Sequence, residues 1–198
     1  MESQVASETG PLVIRHFEPQ PPRTLRELVE YVAEDWRVHG RDASCPGFRA
    51  VAVHRLGNYR VHRPWPLGRV VGFVYRTAHR FVRNHYGIEL PYSVKLGRGV
   101  VFEHQGGIVI HGNAVIGDNC VIRQGVTLGN RHQRSPHVAP VLANRVNVGA
   151  GAKLLGPIHI GEDAQIGANS VVLHDVPAGR TAIGVPARLL EQHSTTDL

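Results

Sequence analysis

Along residues 24–40, TLRELVEYVAEDWRVHG, the apolar positions Leu25, Leu28, Val29, Val32 and Trp36 recur at steps that put them on one face of a helix. Thr24 and Glu27 form a capping box at its start, and Gly40 is placed to end it. A second helix is predicted from Pro46, a favoured first-turn residue, along a stripe of Phe48, Val51 or Ala52, and Leu56. A third carries Leu67, Val70, Val71, Val74, Ala78, Phe81 and Val82 before Gly87. Polar residues between these stripes, among them His54, His79 and Arg83, are expected on the solvated side. Residues 1–23 mix Ser, Gln, Glu and four prolines with few apolar positions and read as a flexible tail.

After Pro91 the beat becomes six. Leu96 and Phe102, then Ile110, Ile116, Ile122 and Leu128, then Leu142, Val148, Leu154, Ile160, Ile166 and Val172 keep a spacing that neither a helix nor a simple strand produces. Glycine follows the apolar residue at Gly97, Gly117, Gly129, Gly149, Gly161 and Gly167, and a small or apolar residue stands two before it at Ala114, Cys120, Val126, Ala152, Ala164 and Ser170. Each such unit is one short strand and one tight turn, three units close a coil, and stacked coils pair their strands in parallel. The fold expected is therefore mainly β: a parallel β-helix of hexapeptide repeats over residues 88–190, preceded by a small α-helical region at 24–87 and followed by a tail at 191–198.

Composition narrows the function classes. With 42% hydrophobic and 19% charged residues the chain of 198 is globular. Its net charge of +6 favours anionic partners. Lys and Arg are spread out, with no basic run, zinc-finger spacing or RNP-like aromatic pattern, so no nucleic acid is expected. The longest apolar stretch, residues 67–74, is too short to span a bilayer and contains Arg69, so no membrane anchoring is expected. Cys45 and Cys120 make no disulfide framework, and the N-terminus lacks a basic segment followed by an apolar one; both point to the cytoplasm. Cys120 takes one of the small inward positions, so it reads as packing.

The beat slips twice. Two extra residues fall between Phe102 and Ile110, in VVFEHQGGIV, and a longer excursion, NRHQRSPHVAPV, separates Leu128 from Leu142. The hexapeptides, with GVTLGN, VNVGAGAKLLGPIHIGEDAQIGANSVVLHDVPAG and the closing AIGVPAR, resemble the hexapeptide-repeat acyltransferases and, within them, the serine O-acetyltransferases. The resemblance covers residues 88–190, and GRDASCPGFRAVAVHRLGNYR is similar to a shortened form of the family's preceding helical segment. It implies a left-handed β-helix, a homotrimer with acetyl-CoA held between subunits as co-substrate, no metal, and acetyl transfer to the hydroxyl of L-serine, the first step toward cysteine. By position it places His104 on the catalytic histidine and Glu89 on the acid that orients it. Glu103 and Asp42 fall on acidic positions that contact the acceptor. Gly149, Ala150 and Ala168 line the thioester and pantetheine groove, and Asn130 stands where the family has a glycine near it. The basic Lys153 and Arg188 lie near the C-terminal coils and suit the phosphates of CoA.

The chemistry is coherent. A hydroxyl attacks a thioester poorly until its proton is removed as the bond forms, a task for a neutral imidazole. A carboxylate on the opposite ring nitrogen fixes the tautomer and stabilises the imidazolium. Glu89 precedes His104 by 15 residues, near one coil, and the N–H groups of Gly106 and Gly107 can approach a developing oxyanion. Two departures from the family stand out. Its second histidine, on the long loop, falls on Ala139; His137 and, further back, His132 are the candidates to replace it. Members that bind cysteine synthase end in isoleucine, whereas this chain ends STTDL, which argues against that complex. Three other readings remain: a different hydroxylated acceptor (another amino acid, a sugar or a secondary metabolite), a γ-carbonic-anhydrase-like hydratase using His132 and His137 with His104 or His111, and a scaffold without activity.

Overall fold

The computed structural model describes residues 19–132 and 137–191. The first helix, α1, spans Leu25–Val38; the Thr24 hydroxyl accepts the Glu27 N–H at 3.1 Å and Glu27 Oε2 accepts the Thr24 N–H at 3.1 Å. Glu27 Oε2 also takes the Arg23 N–H at 2.6 Å, and the Tyr31 hydroxyl donates to the Gln20 carbonyl at 3.2 Å, so residues 20–23 are tied to α1. Pro46 begins α2, Pro46–Val61. The third helix, α3, covers Leu67–Phe81 and runs into a π-helical turn, Val82–Tyr86, which Gly87 closes in the left-handed region at φ 64°.

The middle helix is the central one: Ala50, Val51, His54, Arg55, Gly57 and Tyr59 are buried between α1, α3 and the start of the solenoid. The apolar stripes of α1 and α3 largely face away from it, with Leu25 62% and Val70 60% exposed, and the residue α1 buries is Asp35. Periodicity identifies side chains that share a face; which face the same chain covers depends on where the neighbours lie. The buried Arg55 joins the layers. It donates through Nε to Asp35 Oδ2 at 3.0 Å, through Nη1 to the Leu96 carbonyl at 2.9 Å and through Nη2 to the Gly97 carbonyl at 2.6 Å.

His54, expected on the solvated side, is fully buried. His79 is half-buried beside Tyr75, with rings 5.4 Å apart, while Arg83 is exposed. His54 Nδ1 donates to the Pro91 carbonyl at 3.1 Å and Nε2 accepts from Asn58 Nδ2 at 3.0 Å, so both nitrogens are used by the neutral ring. Burial, with the Arg55 charge beside it, pushes this imidazole down from 6.5 to about 3. Between those values the unfolded chain binds a proton that the folded chain refuses. The stability is whole above 6.5 and drains as pH falls through the window. His79, also lowered by burial, acts in the same direction. Asp35, raised because burial outweighs Arg55, acts oppositely, in a window that opens upward from its ordinary 3.8. Thermal unfolding is therefore expected to show Tm falling between about pH 7 and about pH 5, and His54→Gln to flatten that slope. An unchanged Tm across this range in the parent chain would refute it.

From Ile88 onward the chain is a parallel solenoid of about five coils with three flat faces. Sheet A stacks Ile88–Glu89, Ile108–Ile110, Thr127–Gly129, Lys153–Leu155 and Val171–Val172. Sheet B stacks Lys95–Leu96, Val115–Ile116, Val141–Leu142 and His159–Ile160. Sheet C stacks Val101–Glu103, Val121–Arg123, Asn147–Val148, Gln165–Ile166 and Thr181–Gly184, and ends on Ala187–Leu189, the one antiparallel partner among the described strands. All twelve residues of the six-beat are buried, as are Ala114, Cys120, Val126, Ala152, Ala164 and Ser170, each two before one of them. Cys120 packs among them with its thiol pushed up to about 12 by burial, which leaves it inert.

Candidate active site

The first slip of the beat is an outward bulge. Glu103 pairs in register with Arg123, and Gly106 O accepts the Gly125 N–H at 2.8 Å, so His104 to Gly106 span the edge that Gln124 alone spans one coil further on. The two extra residues are pushed out of the prism where sheet C turns into sheet A. His104 is exposed and held at φ 65°, a left-handed conformation uncommon for a residue with a side chain. Its ring makes no hydrogen bond among the described residues. Gly106 and Gly107 complete the turn at φ 101° and 68°. The Gly106 N–H donates to the Tyr86 carbonyl at 2.9 Å, so it is not available to an oxyanion; the Gly107 N–H has no backbone partner among the described residues.

Other expected residues gather on this edge. Below the bulge the Gly151 N–H donates to the Gln124 carbonyl at 2.8 Å and the Asn169 N–H to the Ala150 carbonyl at 2.7 Å. Ala150 and Ala168 therefore form a column of small residues under His104, and Gly149 leads into it. A Cβ at Gly149 would lie 2.6 Å from the Ala168 nitrogen, so the coils touch there. The Lys153 ammonium donates to the Gly125 carbonyl and to Thr127 Oγ1, the latter at 3.2 Å, and so is already engaged along sheet A. Arg188 is exposed in the final strand.

Around the bulge, Glu89 stands on the outer row of sheet A, in line with Val109, Thr127 and Lys153. No hydrogen bond joins Glu89 to His104 among the described residues; Glu89 lies close enough to His79 to favour its charged form. On the sheet C side, Glu103 Oε2 is ion-paired with Arg123 Nε at 2.8 Å, and Arg123 Nη1 donates to Asn147 Oδ1. Asp42 lies in the turn between α1 and α2, where it accepts from the Ser44 N–H at 2.7 Å and the Ser44 hydroxyl at 2.6 Å, contacts that hold its carboxyl below the usual range. That turn is pressed against the strand leading into the bulge: the Phe102 N–H donates to His39 Nε2 at 3.2 Å, and a Cβ at Gly47 would meet the Phe102 carbonyl oxygen at 2.0 Å.

The described residues of the long loop lie elsewhere. Asn130 and His137 sit at the opposite edge of sheet A, where Asn130 Nδ2 donates to the His132 carbonyl at 3.3 Å and Asn113 Nδ2 to the His137 carbonyl at 3.0 Å. His132 and His137 are exposed, and Ala139 packs against the core. Strands of three residues, about 10 Å at 3.3 Å per residue, separate this edge from His104. Within one chain neither Asn130 nor His137 reaches the bulge. Nor do His104, His111, His132 and His137 converge: no group of three His, Cys, Asp or Glu is placed to hold a metal among the described residues. Two shallow concavities lie on the helical region, lined by Thr77, Arg80, Phe81, Asn84 and His85 and by residues around Arg60 and Trp65, and neither includes His104.

Two residues of this edge escaped the sequence reading. Arg123 has a signal in hindsight, since it occupies Glu103's row one coil on. Gln124, whose amide oxygen is buried without a partner, has none.

No family model matches the chain. The serine acetyltransferase of Synechococcus elongatus is 42% identical over 145 residues, 73% of this chain and 57% of that protein, so the match spans little more than half of that relative. That of Helicobacter pylori strain J99 is 41% identical over 145 residues, 73% of this chain and 81% of the relative. Among solved structures, soybean serine acetyltransferase complexed with serine aligns at TM-score 0.68 and 33% identity, covering 82% of this chain and 69% of that one. The Brucella abortus strain S19 serine acetyltransferase in complex with coenzyme A aligns at TM-score 0.70 and 30% identity, covering 84% and 68%. A three-faced parallel solenoid wound on a six-residue beat, shared with these solved structures, places the chain in the hexapeptide-repeat acyltransferase class. Within that class, the chain belongs to the serine acetyltransferase family.

Proposed function

We propose that this protein transfers the acetyl group of acetyl-CoA to the hydroxyl of L-serine, with His104 as general base. The observation that carries the reading is the two-residue bulge, which presents an unpartnered imidazole at the head of the Ala150 and Ala168 column. There the imidazole takes the hydroxyl proton as oxygen bonds to the thioester carbon, and returns it to the sulfur as the tetrahedral adduct expels CoA. Relatives of the same name, one crystallised with serine and one with coenzyme A, support donor and acceptor.

The active unit in this reading is a homotrimer, since His104 and the loop residues Asn130 and His137 occupy opposite edges of one face and a neighbouring copy can set these residues against this bulge. Glu89 orients His104 there, and Arg188 serves the CoA phosphates. Two unpaired cysteines suit a cytoplasmic setting. Thiol release from acetyl-CoA, run with L-serine, other hydroxy amino acids and sugars, together with light scattering, tests this. The expected result is release dependent on L-serine by a particle of three chains. A monomer, or no release with any acceptor, overturns it. Ala139, at the place of the family's second histidine, favours one further reading, a different hydroxylated acceptor, which the same panel would reveal.

A further inference from the structure

We infer that Arg123 selects the acceptor: with Glu103 it forms a paired positive and negative site beside His104 that takes a zwitterionic amino acid, the guanidinium holding the carboxylate. This rests on the acyl-transfer reading and adds to it the residue that recognises the acceptor's charge.

The geometry supplies three reasons. First, placement: Glu103 is the residue before His104, and Arg123 is its register partner on the next coil, so both charges stand on the outer row of sheet C at the edge carrying the base. Second, orientation: Arg123 is fixed at two points, Nε against Glu103 Oε2 at 2.8 Å and Nη1 against Asn147 Oδ1, one coil to either side. A guanidinium carries five N–H donors in a rigid fork suited to a carboxylate. With Nε and one Nη1 hydrogen engaged, Nη2 has no partner among the described residues, and the side chain is 31% exposed. Third, complement: Glu103 uses one oxygen on Arg123, and its side chain is 40% exposed, which leaves Oε1 to accept an ammonium. An acceptor with ammonium and carboxylate on one carbon meets a site of matching, opposite charges, with its hydroxyl toward His104. A neutral polyol or sugar gains nothing from displacing water from that pair.

The test uses two acceptors that differ only in the carboxylate, L-serine and L-serine amide, on the full-length chain and its Arg123→Gln variant. For L-serine, Arg123→Gln is expected to lower kcat/KM by about 10- to 100-fold, mostly through KM, as for loss of charge-assisted hydrogen bonds. For the amide the change is expected to be much smaller, so the parent's preference for L-serine collapses. Arg123→Lys, which keeps the charge but loses the fork, is expected to fall between. Equal losses on both acceptors would overturn the proposal and leave Arg123 as a prop for Glu103. Calorimetric binding of the same pair, without turnover, separates the two readings. If thiol release is absent but the parent binds L-serine over the amide and the variant does not, the proposed function fails and the recognition site stands. If the parent binds both equally, or neither, the recognition site falls.

Discussion

Replacing His104 by alanine is expected to lower turnover by about 10²–10⁴-fold while leaving acetyl-CoA affinity nearly unchanged. The affinity should hold because the column under the bulge is built from backbone and small residues, none of which is hydrogen-bonded to the imidazole among the described residues. The turnover should fall because the group that takes the hydroxyl proton is gone, while the fold should survive because the imidazole has no hydrogen-bond partner among the described residues to forfeit. An alanine at φ 65° keeps the same backbone cost, and thermal unfolding should match the parent closely. Steady-state rates with L-serine, and calorimetric titration with acetyl-CoA, give the two readouts. Glu89→Gln should also impair turnover, yet add little on top of His104→Ala, since an orienting carboxylate has nothing left to orient. Multiplicative losses in the double variant would show two independent roles. Full turnover in His104→Ala would discard the mechanism.

Replacing Arg55 by methionine is expected to destabilise the fold by about 3–5 kcal/mol, because it leaves the Asp35 carboxylate buried and unpaired. The loss extends beyond one ion pair: the same guanidinium satisfies the Leu96 and Gly97 carbonyls and ties α1 and α2 to the first coil. Burial already raises the Asp35 carboxyl with Arg55 present, so without it the acid is pushed further toward its neutral form. Changing Asp35 to asparagine in the Arg55→Met background should recover part of the loss, since the uncompensated charge is then gone. Denaturant unfolding of the two single variants and the double closes the cycle. A drop below about 1 kcal/mol in Arg55→Met would place the pair among surface ion pairs in effect and refute its joining role.

The solenoid was legible because each of its coils obeys the same local rule. Buried residues such as Ile122, Val148 and Ile166 recur at six because a strand and a turn together take six residues. The bulge was legible for the same reason: against so regular a beat, two extra residues must leave the prism, and His104 was one of them. The helical region was less so. Leu25 and Val70 belong to the stripes expected of their helices, but nothing in a helical period says that a neighbouring element covers those faces. His54 is a polar residue whose partners, Pro91 O and Asn58, lie 37 and 4 residues away, and only the first distance takes it inside. The pairing of Glu103 with Arg123 needs the register between coils, and the capture of Lys153 by Gly125 and Thr127 needs the outer surface as well.

The antiparallel strand Ala187–Leu189 sets the size of the molecule. Every rung of a parallel stack exposes the donors and acceptors that would seat another rung, so a prism made only of repeats has no natural end and could grow by adding whole molecules into a fibre. Turning the chain back on Thr181–Gly184 reverses the order of those groups at one end of sheet C, while α2 and its neighbours cover the start of the solenoid at the other. Length is thereby decided by two terminators and left open in the middle, where a coil could be gained or lost by duplication without redesigning either end.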